Sequence, residues 1–446
     1  MILRPSKKLL FTLLIFAALG VILGLLQIFA EQFSSQIFAS ELFLLASLGL
    51  IASAIYDLLQ RTNLDALVAQ RVLPSSFALH RQQQVRLSVE NRLQRAMDIT
   101  LSDGVPSFFR TSEFPMRQTV QQGQIAQFDY HVVPISRGEA DFTPAYVQIL
   151  SRFGFWEFCL RLGEHENAKV YPDFSAIINS AMFGVEKNLR FLGAHVAKKR
   201  GGGFEFNQLR EFRSGDTLKQ IDWKSTARLN TPISREFQED RDQNIIFLLD
   251  CSRRMRAVEN ELSYFDYALN ALLTSSYIAL DKGDAVGVMT FSGNETWLSP
   301  LKGKNNVNRI LNHLYDLQTS TQSSDYIRAA ESLIKQHNKR SLIVLITNIR
   351  SEDQQDLSDA VAVLSKKHLV MVVALKETLL ESVDNQSIDE LSDANMYAGI
   401  KLFADKRDEM IKRMRAHGVT IVDATHRDLH VKLVSEYLRL KQSGRL

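Results

Sequence analysis

The chain has 446 residues, of which 45% are hydrophobic and 23% are charged, so most of it is expected to fold, into about three domains. A net charge of +3 is too small for the concentrated basic face of a nucleic-acid-binding protein, so we exclude nucleic acid as a partner. The two cysteines, Cys159 and Cys251, exclude a disulfide framework and form no CxxC metal-binding pair.

Two apolar stretches predict a membrane anchor over residues 1–61. Residues 9–29 carry no charge and are long enough to cross a hydrocarbon core of about 30 Å as a helix. Residues 42–59 form a second, weaker stretch, because Asp57 lies near its end. A cleaved signal peptide is the alternative, but the first stretch exceeds a signal core of about 7–15 residues and a second stretch follows it.

The basic residues around these stretches predict their orientation. Arg4, Lys7 and Lys8 precede the first stretch, Arg61 and Arg71 follow the second, and the connector contains neither Lys nor Arg. The positive-inside rule then places both ends in the cytoplasm. We therefore expect a two-span protein of the cell inner membrane whose soluble body faces the cytoplasm.

Alternating apolar and polar residues predict a β-rich module over residues 62–172. The segments QVRLSVENR, IAQFDYHVV and AYVQILSR read as strands with polar breaks between them. Such spacing is typical of a small antiparallel sandwich or barrel. We interpret this region as a structural or partner-binding module without catalytic residues.

Residues 173–242 are interpreted as a linker followed by a conspicuous polar block. Residues 175–203 are expected to form a helix or a flexible hinge that ends in KKRGGG. A phosphate-binding loop would require the spacing GxxxxGK[ST] between a strand and a helix, and that motif is absent.

From residue 243 to residue 446 the pattern alternates between strands and amphipathic helices. Short apolar runs predict buried strands at residues 245–249, 285–291, 342–347, 369–375 and 419–422. Strands joined by helices predict βαβ units and a doubly wound, mostly parallel sheet that is covered on both faces. The expected architecture is therefore multidomain, with two transmembrane helices, a small all-β sandwich-like module and an α/β domain.

Two adjacent segments carry a family resemblance. The segment FEFNQLREFRSGDTLKQIDWKSTARLNTPISREFQED, here called the hallmark block (residues 204–240), stands a few residues before the segment NIIFLLDCSRRM. Together they resemble the domain of unknown function 58 family, whose pattern is LREY–GD–IDW–AR followed by a strand like the first strand of a von Willebrand factor A domain. The resemblance implies a von Willebrand factor A-like fold for residues 243–446 and a MoxR-type AAA+ ATPase as a protein partner.

Five residues of the hallmark block are candidate site residues. Gly215 is expected to form a turn and Asp216 to cap a short helix. Asp222 and Arg228 are expected to pair with each other or with backbone groups, and Trp223 to pack against the α/β domain. We interpret the block as a docking clamp between modules. The alternatives are an exposed acidic and aromatic partner surface, and catalysis by Asp216 and Asp222, which no nucleophile accompanies.

The resemblance also implies a metal site at the end of the first α/β strand. A von Willebrand factor A domain holds Mg²⁺ through DxSxS, a Thr and an Asp on three loops. This sequence has Asp250 and Ser252 at the first two positions, Arg254 in place of the second serine, Ser324 in place of the threonine, and Asn348 in place of the last aspartate. We therefore expect a degenerate site without a metal cofactor. One arrangement open to such a site is a bond from the Arg254 guanidinium to Asp250 in the cation's place. Binding of Mg²⁺ is the alternative.

These expectations favour a non-enzymatic, membrane-anchored adaptor that binds protein partners and works with the ATPase in the assembly or remodelling of protein complexes. The alternative is a metal-dependent hydrolase centred on Asp250, although a second carboxylate at that strand end and an HExxH motif are absent. A third interpretation, an outward-facing adhesin, is opposed by the basic residues that flank the membrane helices.

Overall fold

The structure is a computed structural model that describes residues 2–29, 36–59, 66–93, 95–173, 205–213, 216–238, 243–382 and 390–446. These residues divide between two units, Met1–Tyr171 and Pro172–Leu446. The predicted linker at 175–203 lies outside the described residues.

Two long apolar helices form the anchor of the first unit. Helix α1 (Lys7–Phe29) and helix α2 (Gln36–Leu59) each contain a segment that is long and apolar enough to cross a membrane, as the sequence predicted. Only 6% of each segment is buried inside the protein. The rings of Phe16 and Phe43 are 6.2 Å apart, and a Cβ on Gly20 would lie 3.0 Å from the Phe43 ring. The small residue therefore allows the two helices to approach closely.

The rest of the first unit is built from two mainly antiparallel sheets. The first sheet has the order β1-β10-β9-β11-β3, with β5 bonded to β9 and β7 bonded to β5, and the second has the order β2-β4-β8-β6. The strands are β1 (Ile2–Pro5), β2 (Leu67–Val72), β3 (Phe77–Ala78), β4 (Gln83–Asn91), β5 (Met97–Gly104), β6 (Phe109–Arg110), β7 (Met116–Val120), β8 (Ile125–Pro134), β9 (Gly138–Leu150), β10 (Trp156–Leu162) and β11 (Glu166–Tyr171). The three strands predicted here correspond to β4, β8 and β9.

Alternate burial along these strands creates one core between the two sheets. In β4 the side chains of Val85, Leu87 and Val89 are fully buried, while the intervening residues are more exposed. A buried ion pair also joins the sheets, because Arg71 of β2 donates to Asp103 of β5 over 2.5 Å. Tyr130 of β8 donates its hydroxyl to the same carboxylate. This polar cluster therefore links β2, β5 and β8, and it pairs the buried charges of Arg71 and Asp103 with each other.

Strand β1 and helix α2 attach the anchor to the β-rich part of the unit. Strand β1, which precedes helix α1, pairs antiparallel with β10, with Leu3 opposite Phe158. At the other end, Asp57 of helix α2 is only 1% exposed and accepts hydrogen bonds from the segment between β9 and β10. These contacts join the anchor helices to the β-rich strands within the first unit.

The first element among the described residues of the second unit is a small antiparallel ribbon that the sequence did not predict. Strands β12 (Glu205–Glu211) and β13 (Ile233–Gln238) pair, and the short helix α3 (Trp223–Leu229) lies between them in the chain. A 3₁₀ turn, Leu218–Gln220, precedes α3. The hallmark block therefore folds as a two-stranded ribbon that carries a helical excursion.

A six-stranded sheet with the order β18-β17-β14-β19-β20-β21 forms the centre of the second unit. Its strands are β14 (Asn244–Asp250), β17 (Ala285–Phe291), β18 (Trp297–Lys302), β19 (Leu342–Thr347), β20 (Leu369–Lys376) and β21 (Thr420–Thr425), and the short strands β15 (Val258–Glu259) and β16 (Leu262–Ser263) form a separate hairpin. All neighbouring pairs are parallel except β17 with β18, which lies at the edge. The five predicted strands are confirmed, and β21 extends three residues further than predicted.

Helices cover both faces of this sheet. They are α4 (Tyr264–Asp281), α5 (Val307–Leu314), α6 (Tyr326–Gln336), α7 (Gln354–Ser365), α8 (Leu379–Ser382), α9 (Leu391–Ala416) and α10 (Leu429–Gln442). Along β14, Phe247 and Leu249 belong to the core under α4, α5 and α10, whereas Ile246 and Leu248 belong to the core under α6, α7 and α9. A strand buried on both faces needs the continuous apolar run that the sequence shows there.

The chain leaves β14 in both directions across the sheet. It passes from β14 to β17 on one side, and later returns to β19, β20 and β21 on the other side. Strand β14 therefore lies at the topological switch point, and ligands of open α/β sheets bind beyond the carboxyl ends of the strands at such a point.

Candidate functional site

The carboxyl end of β14 places a carboxylate at the switch point. Asp250 is the last residue of β14 and is fully buried. Its Oδ1 accepts a hydrogen bond of 2.8 Å from the backbone N–H of Ser252, and its Oδ2 accepts bonds of 2.8 Å from Ser324 Oγ and 2.6 Å from Thr347 Oγ1. We call these four residues the oxygen cluster. Three separate segments of the chain therefore converge on one carboxylate.

Burial and hydrogen bonding act on Asp250 in opposite directions. Burial raises the pKa of its carboxyl group, and the bonds from Thr347, Ser252 and Ser324 oppose this rise, with burial the stronger effect. Because the Thr347 hydroxyl donates its only proton to Asp250, the hydroxyl of Tyr326, 2.9 Å away, must donate to Thr347. Burial is the main cause that raises the pKa of Tyr326 to about 12, and the Asp250 charge adds to it.

Three of the five predicted positions, Asp250, Ser252 and Ser324, lie together at this strand end. Ser252 Oγ and Ser324 Oγ are 3.0 Å apart beside Asp250. Asn348 is buried directly after β19, but the hydrogen bond from this strand end comes from Thr347, which the sequence interpretation missed. Thr347 could have been found from the sequence, because it is a hydroxyl-bearing residue at the end of a predicted strand.

Arg254 does not take the cation's place beside Asp250, which was one of the arrangements open from the sequence. The Arg254 guanidinium donates to Glu352 over 2.5 Å and also to Asp353. Both carboxylates lie in the loop after β19, within a 3₁₀ turn that precedes α7. The Arg254 guanidinium is therefore neutralised by two carboxylates that the sequence interpretation did not consider. Asp250 accepts hydrogen bonds from hydroxyl and backbone donors instead.

The oxygen atoms that could bind a metal ion at this strand end carry little negative charge. Asp250 is its single carboxylate, and the hydroxyls of Ser324 and Thr347 direct their protons toward it. No group of three or more His, Cys, Asp or Glu side chains able to hold a metal ion occurs among the described residues. Because a hard divalent cation requires lone pairs from these same oxygens, it would have to displace the existing hydrogen bonds.

In the hallmark block, arginines neutralise both predicted aspartates. Asp216 forms a bidentate ion pair with Arg210, with two N–O distances of 2.8 Å, and also accepts from the Arg213 N–H. These bonds lower the pKa of Asp216, with the Arg210 hydrogen bond contributing most. The expectation that Asp216 caps a helix is wrong, because Thr217 occupies the position before the 3₁₀ turn. Gly215, the predicted turn residue, lies outside the described residues.

Asp222 is the N-cap of helix α3. It accepts a hydrogen bond of 3.0 Å from the Ser225 N–H, and its other oxygen is 2.9 Å from Arg235 Nε. The Ser225 bond is the largest favourable effect that lowers the pKa of Asp222, and the Arg235 charge adds to it. Asp222 does not pair with Arg228, which is exposed and forms no ion pair with a described residue. The aspartates therefore hold the ribbon and its helix together and are not free for catalysis.

Trp223 is not packed against the sheet domain as predicted. Its side chain is 69% exposed, and Leu218 and Leu229, on either side of it in the chain, are 74% and 59% exposed. The basic residues Lys219, Lys224 and Arg228 are exposed among them. We call these six residues the hallmark surface. With both aspartates neutralised, this surface is basic and aromatic, whereas the sequence interpretation had considered an acidic one.

A second feature of the sheet edge is a crevice of about 330 Å³ beside the oxygen cluster. It lies between the end of β17 and the start of α6, and Ser292, Gln322, Asp325 and Arg328 contribute to its walls. The Ser292 hydroxyl accepts from the Asp325 N–H over 2.9 Å, which joins the two sides of the crevice.

The described residues of the second unit form a doubly wound α/β domain with the oxygen cluster at its switch point. A β-ribbon precedes β14, the first strand of this domain in the chain. Residues 208–419 match the family described as "Protein of unknown function DUF58". The match confirms the resemblance carried by the hallmark block and the strand that follows it. No protein with a curated description matches the sequence.

Three solved structures show remote likeness. The conserved hypothetical protein BatB from Bacteroides thetaiotaomicron is 16% identical with a TM-score of 0.29, covering 45% of this chain and 99% of that one. An aerotolerance-related membrane protein from Bacteroides fragilis NCTC 9343, with multiple mutations to serines, is 21% identical with a TM-score of 0.23, covering 30% and 67%. Salmonella alpha-2-macroglobulin reacted with methylamine is 15% identical with a TM-score of 0.20, and the alignment covers 24% of this chain and only 7% of that protein. Likeness at this level carries no functional argument.

Proposed function

We propose that this protein is a membrane-anchored adaptor whose soluble body binds a protein partner and carries out no reaction of its own. The observation that carries the proposal is the hallmark surface, where Leu218, Trp223 and Leu229 expose most of their side chains to solvent. Exposed large apolar side chains that include a tryptophan are typical of protein–protein interfaces. Exposed Lys219 and Lys224 lie beside them, so the complementary partner surface is an apolar pocket with an acidic rim.

The partner that we propose is a MoxR-type AAA+ ATPase, which the family resemblance implies. The adaptor would hold the ATPase, or a protein complex that the ATPase remodels, at the inner membrane. The α/β domain is proposed to be von Willebrand factor A-like, which its strand order and its helices on both faces support. The loops over the carboxyl edge of that sheet, including the crevice beside the oxygen cluster, provide a second contact region.

The surroundings of Asp250 favour a structural role for the oxygen cluster over hydrolysis. Asp250 accepts hydrogen bonds from the hydroxyls of Ser324 and Thr347 and from the Ser252 N–H. A metal-assisted hydrolase centred on Asp250 requires a bound cation with an open position for water, and the hydroxyl protons that point at the carboxylate oppose one. The cluster instead joins the loop after β14 and the end of β19 to the segment before α6.

Affinity purification of the full chain from detergent-solubilised membranes tests the proposal. We expect a AAA+ ATPase to co-purify with the wild-type chain and to be lost with Trp223→Ala. The matched control is Leu391→Ala, because Leu391 is 79% exposed but lies on α9, outside the hallmark surface. Absence of an ATPase from the wild-type eluate, or equal recovery with Trp223→Ala, would refute the proposal.

A further inference from the structure

The first unit contains a crevice of about 940 Å³ with a marked excess of positive charge. It lies over the exposed faces of β5, β7 and β9, next to the start of helix α1 and the segment 151–156. We call it the cationic crevice. Its charged lining residues are Lys7, Lys8, Arg95, Arg117 and Arg152, against only two carboxylates, Asp98 and Glu157. One of these carboxylates is already engaged, since the Thr119 hydroxyl donates to Asp98 over 2.6 Å.

The crevice opens at the level where both apolar helices end. Lys8, at the start of α1, donates to the Phe153 carbonyl over 3.1 Å. Asp57, near the end of α2, accepts from the Phe153 N–H over 3.0 Å, so one segment contacts both helix ends. Phe153 and Tyr56 are 44% and 52% exposed there, with ring centroids 6.2 Å apart. Exposed aromatic rings beside lysines are typical of the boundary between hydrocarbon and headgroups.

The cations of the crevice also repel one another. Burial lowers the pKa of the Arg95 guanidinium, and the positive charge of Arg152 lowers it further, while the Asp57 carboxylate acts in the opposite direction. Arg117 is exposed on β7 and forms no ion pair with a described residue. An anion placed among these side chains would relieve the repulsion and would accept charge-assisted hydrogen bonds from the arginines.

We propose that the cationic crevice binds the phosphate group of an anionic phospholipid from the adjacent leaflet. The inference rests on the membrane anchoring that is part of the proposed function. A headgroup phosphate matches the crevice in charge and in depth, because the crevice opens where the hydrocarbon of the bilayer gives way to headgroups. Basic pockets beside transmembrane helices on the cytoplasmic side bind anionic headgroups in this way, and each Lys or Arg near the surface adds about 1 kcal/mol of attraction, which is about fivefold in affinity.

Native mass spectrometry of the purified full chain in detergent, titrated with dioleoyl phosphatidylglycerol or dioleoyl phosphatidylcholine, tests this proposal. We expect selective retention of phosphatidylglycerol by the wild-type chain. Arg117→Gln and Arg152→Gln should each weaken this binding by about fivefold. The control is Arg110→Gln, since Arg110 is an exposed residue of β6 outside the crevice and its loss should leave the affinity unchanged. Unchanged melting temperatures in lipid-free detergent would show that the variants are folded.

Three outcomes would overturn the proposal: equal retention of the two lipids, equal weakening by Arg110→Gln, or competition by millimolar glycerol 3-phosphate as effective as competition by the lipid. The last would identify a site for soluble phosphate esters. Reconstitution into phosphatidylcholine nanodiscs separates this inference from the proposed function. A chain that inserts but shows no lipid selectivity contradicts only the inference, whereas a chain that does not insert contradicts the anchoring itself.

Discussion

At the scale of single residues, Asp250 organises the carboxyl edge of the sheet by accepting hydrogen bonds from three segments of the chain. Its partners Ser252, Ser324 and Thr347 come from the loop after β14, the segment before α6 and the end of β19. Arg254 is kept away from this carboxylate by Glu352 and by its neighbour Asp353. Neutral hydrogen-bond donors therefore hold the cluster together around Asp250.

We expect no change in the melting temperature of the full chain in detergent when millimolar Mg²⁺ or Mn²⁺ is added. A cation would have to displace the donors of Asp250, and Asn348 offers no second negative charge. Binding at a hundredfold excess over Kd would stabilise the protein by about 2.7 kcal/mol, which a melting curve detects. Asn348→Asp adds the missing carboxylate and should create a shift that Asp250→Ala abolishes. A saturable, Asp250-dependent shift in the wild-type chain would show that the metal site is functional.

His368 provides a pH prediction in the same domain. It is 4% exposed, and neither ring nitrogen has a hydrogen-bond partner among the described residues. Burial lowers its pKa below the ordinary 6.5, and the nearby His337 and Lys367 add to the effect. Since the unfolded chain then binds the proton more tightly, stability is fully present above pH 6.5 and is lost as the pH falls below it.

The measurement is the melting temperature of the full chain between about pH 7.5 and about pH 5.5. His368→Leu should make this profile less steep, because a leucine cannot take up the proton while the other histidines with a lowered pKa still can. His417→Gln is the control, since His417 is exposed in the same unit. A profile for His368→Leu as steep as that of the wild-type chain would contradict the assignment.

At the scale of elements, the segment 151–156 fixes the membrane helices to the β-rich part of the first unit. Asp57 accepts from Ser151 Oγ over 2.5 Å, from Phe153 N over 3.0 Å and from Phe155 N over 3.3 Å. The Trp156 indole N–H donates to the Ala54 carbonyl over 2.8 Å. A charge near the end of an apolar helix, which weakened the sequence prediction of a second span, is therefore a specific attachment point.

Asp57→Ala should destabilise this attachment by on the order of 3 kcal/mol, because it leaves buried donors without an acceptor. The expected result is faster trypsin cleavage after Arg152, whose side chain lies in the released segment. Glu41→Ala is the matched control, since Glu41 is an exposed carboxylate on the same helix. Equal cleavage rates in both variants and in the wild-type chain would show that Asp57 does not hold the segment.

The success of sequence reasoning also differs between elements. The central strands were predictable because each is an apolar run buried on both faces, as in β19 (Leu342–Thr347). Helix α9 (Leu391–Ala416) was not assigned, because only four of its side chains are buried and its apolar residues do not form a clear stripe. The partners of Arg254 are 98 and 99 residues away along the chain, and such long-range pairing leaves no local signal. Composition likewise does not reveal whether an indole such as that of Trp223 is buried or exposed.

At the scale of the whole molecule, the chain combines an apolar helical hairpin, a β-sandwich that is continuous with it, and a part that matches the DUF58 family and includes the hallmark surface. The start of α1 and the end of α2 contact one segment of the sandwich, so both helix ends belong on the same side of a membrane. This geometry agrees with the distribution of basic residues at the two ends, and together they support the proposed cytoplasmic body.

Topology can be measured directly in cells. A reporter that is active only in the cytoplasm should work when fused after Leu446, and a cysteine introduced at Ser35, in the connector, should react with an impermeant reagent in intact spheroplasts. A cysteine at Ser214, in the hallmark block, should stay unlabelled until the membrane is permeabilised. Labelling of this second cysteine in intact spheroplasts would place the body outside and exclude the adaptor that we propose.

The most direct test of the central claim is the affinity of the full chain for a purified MoxR-type AAA+ ATPase from the same cells, measured with and without Trp223. The exposed indole is expected to be a binding hot spot, so Trp223→Ala should weaken binding by at least about 2 kcal/mol, or about 30-fold in Kd. Its melting temperature should stay within about one degree of that of the wild-type chain, because a side chain that is 69% exposed contributes little to the core. An unchanged Kd together with a large loss of stability would contradict this account and would identify the hallmark block as a clamp between modules.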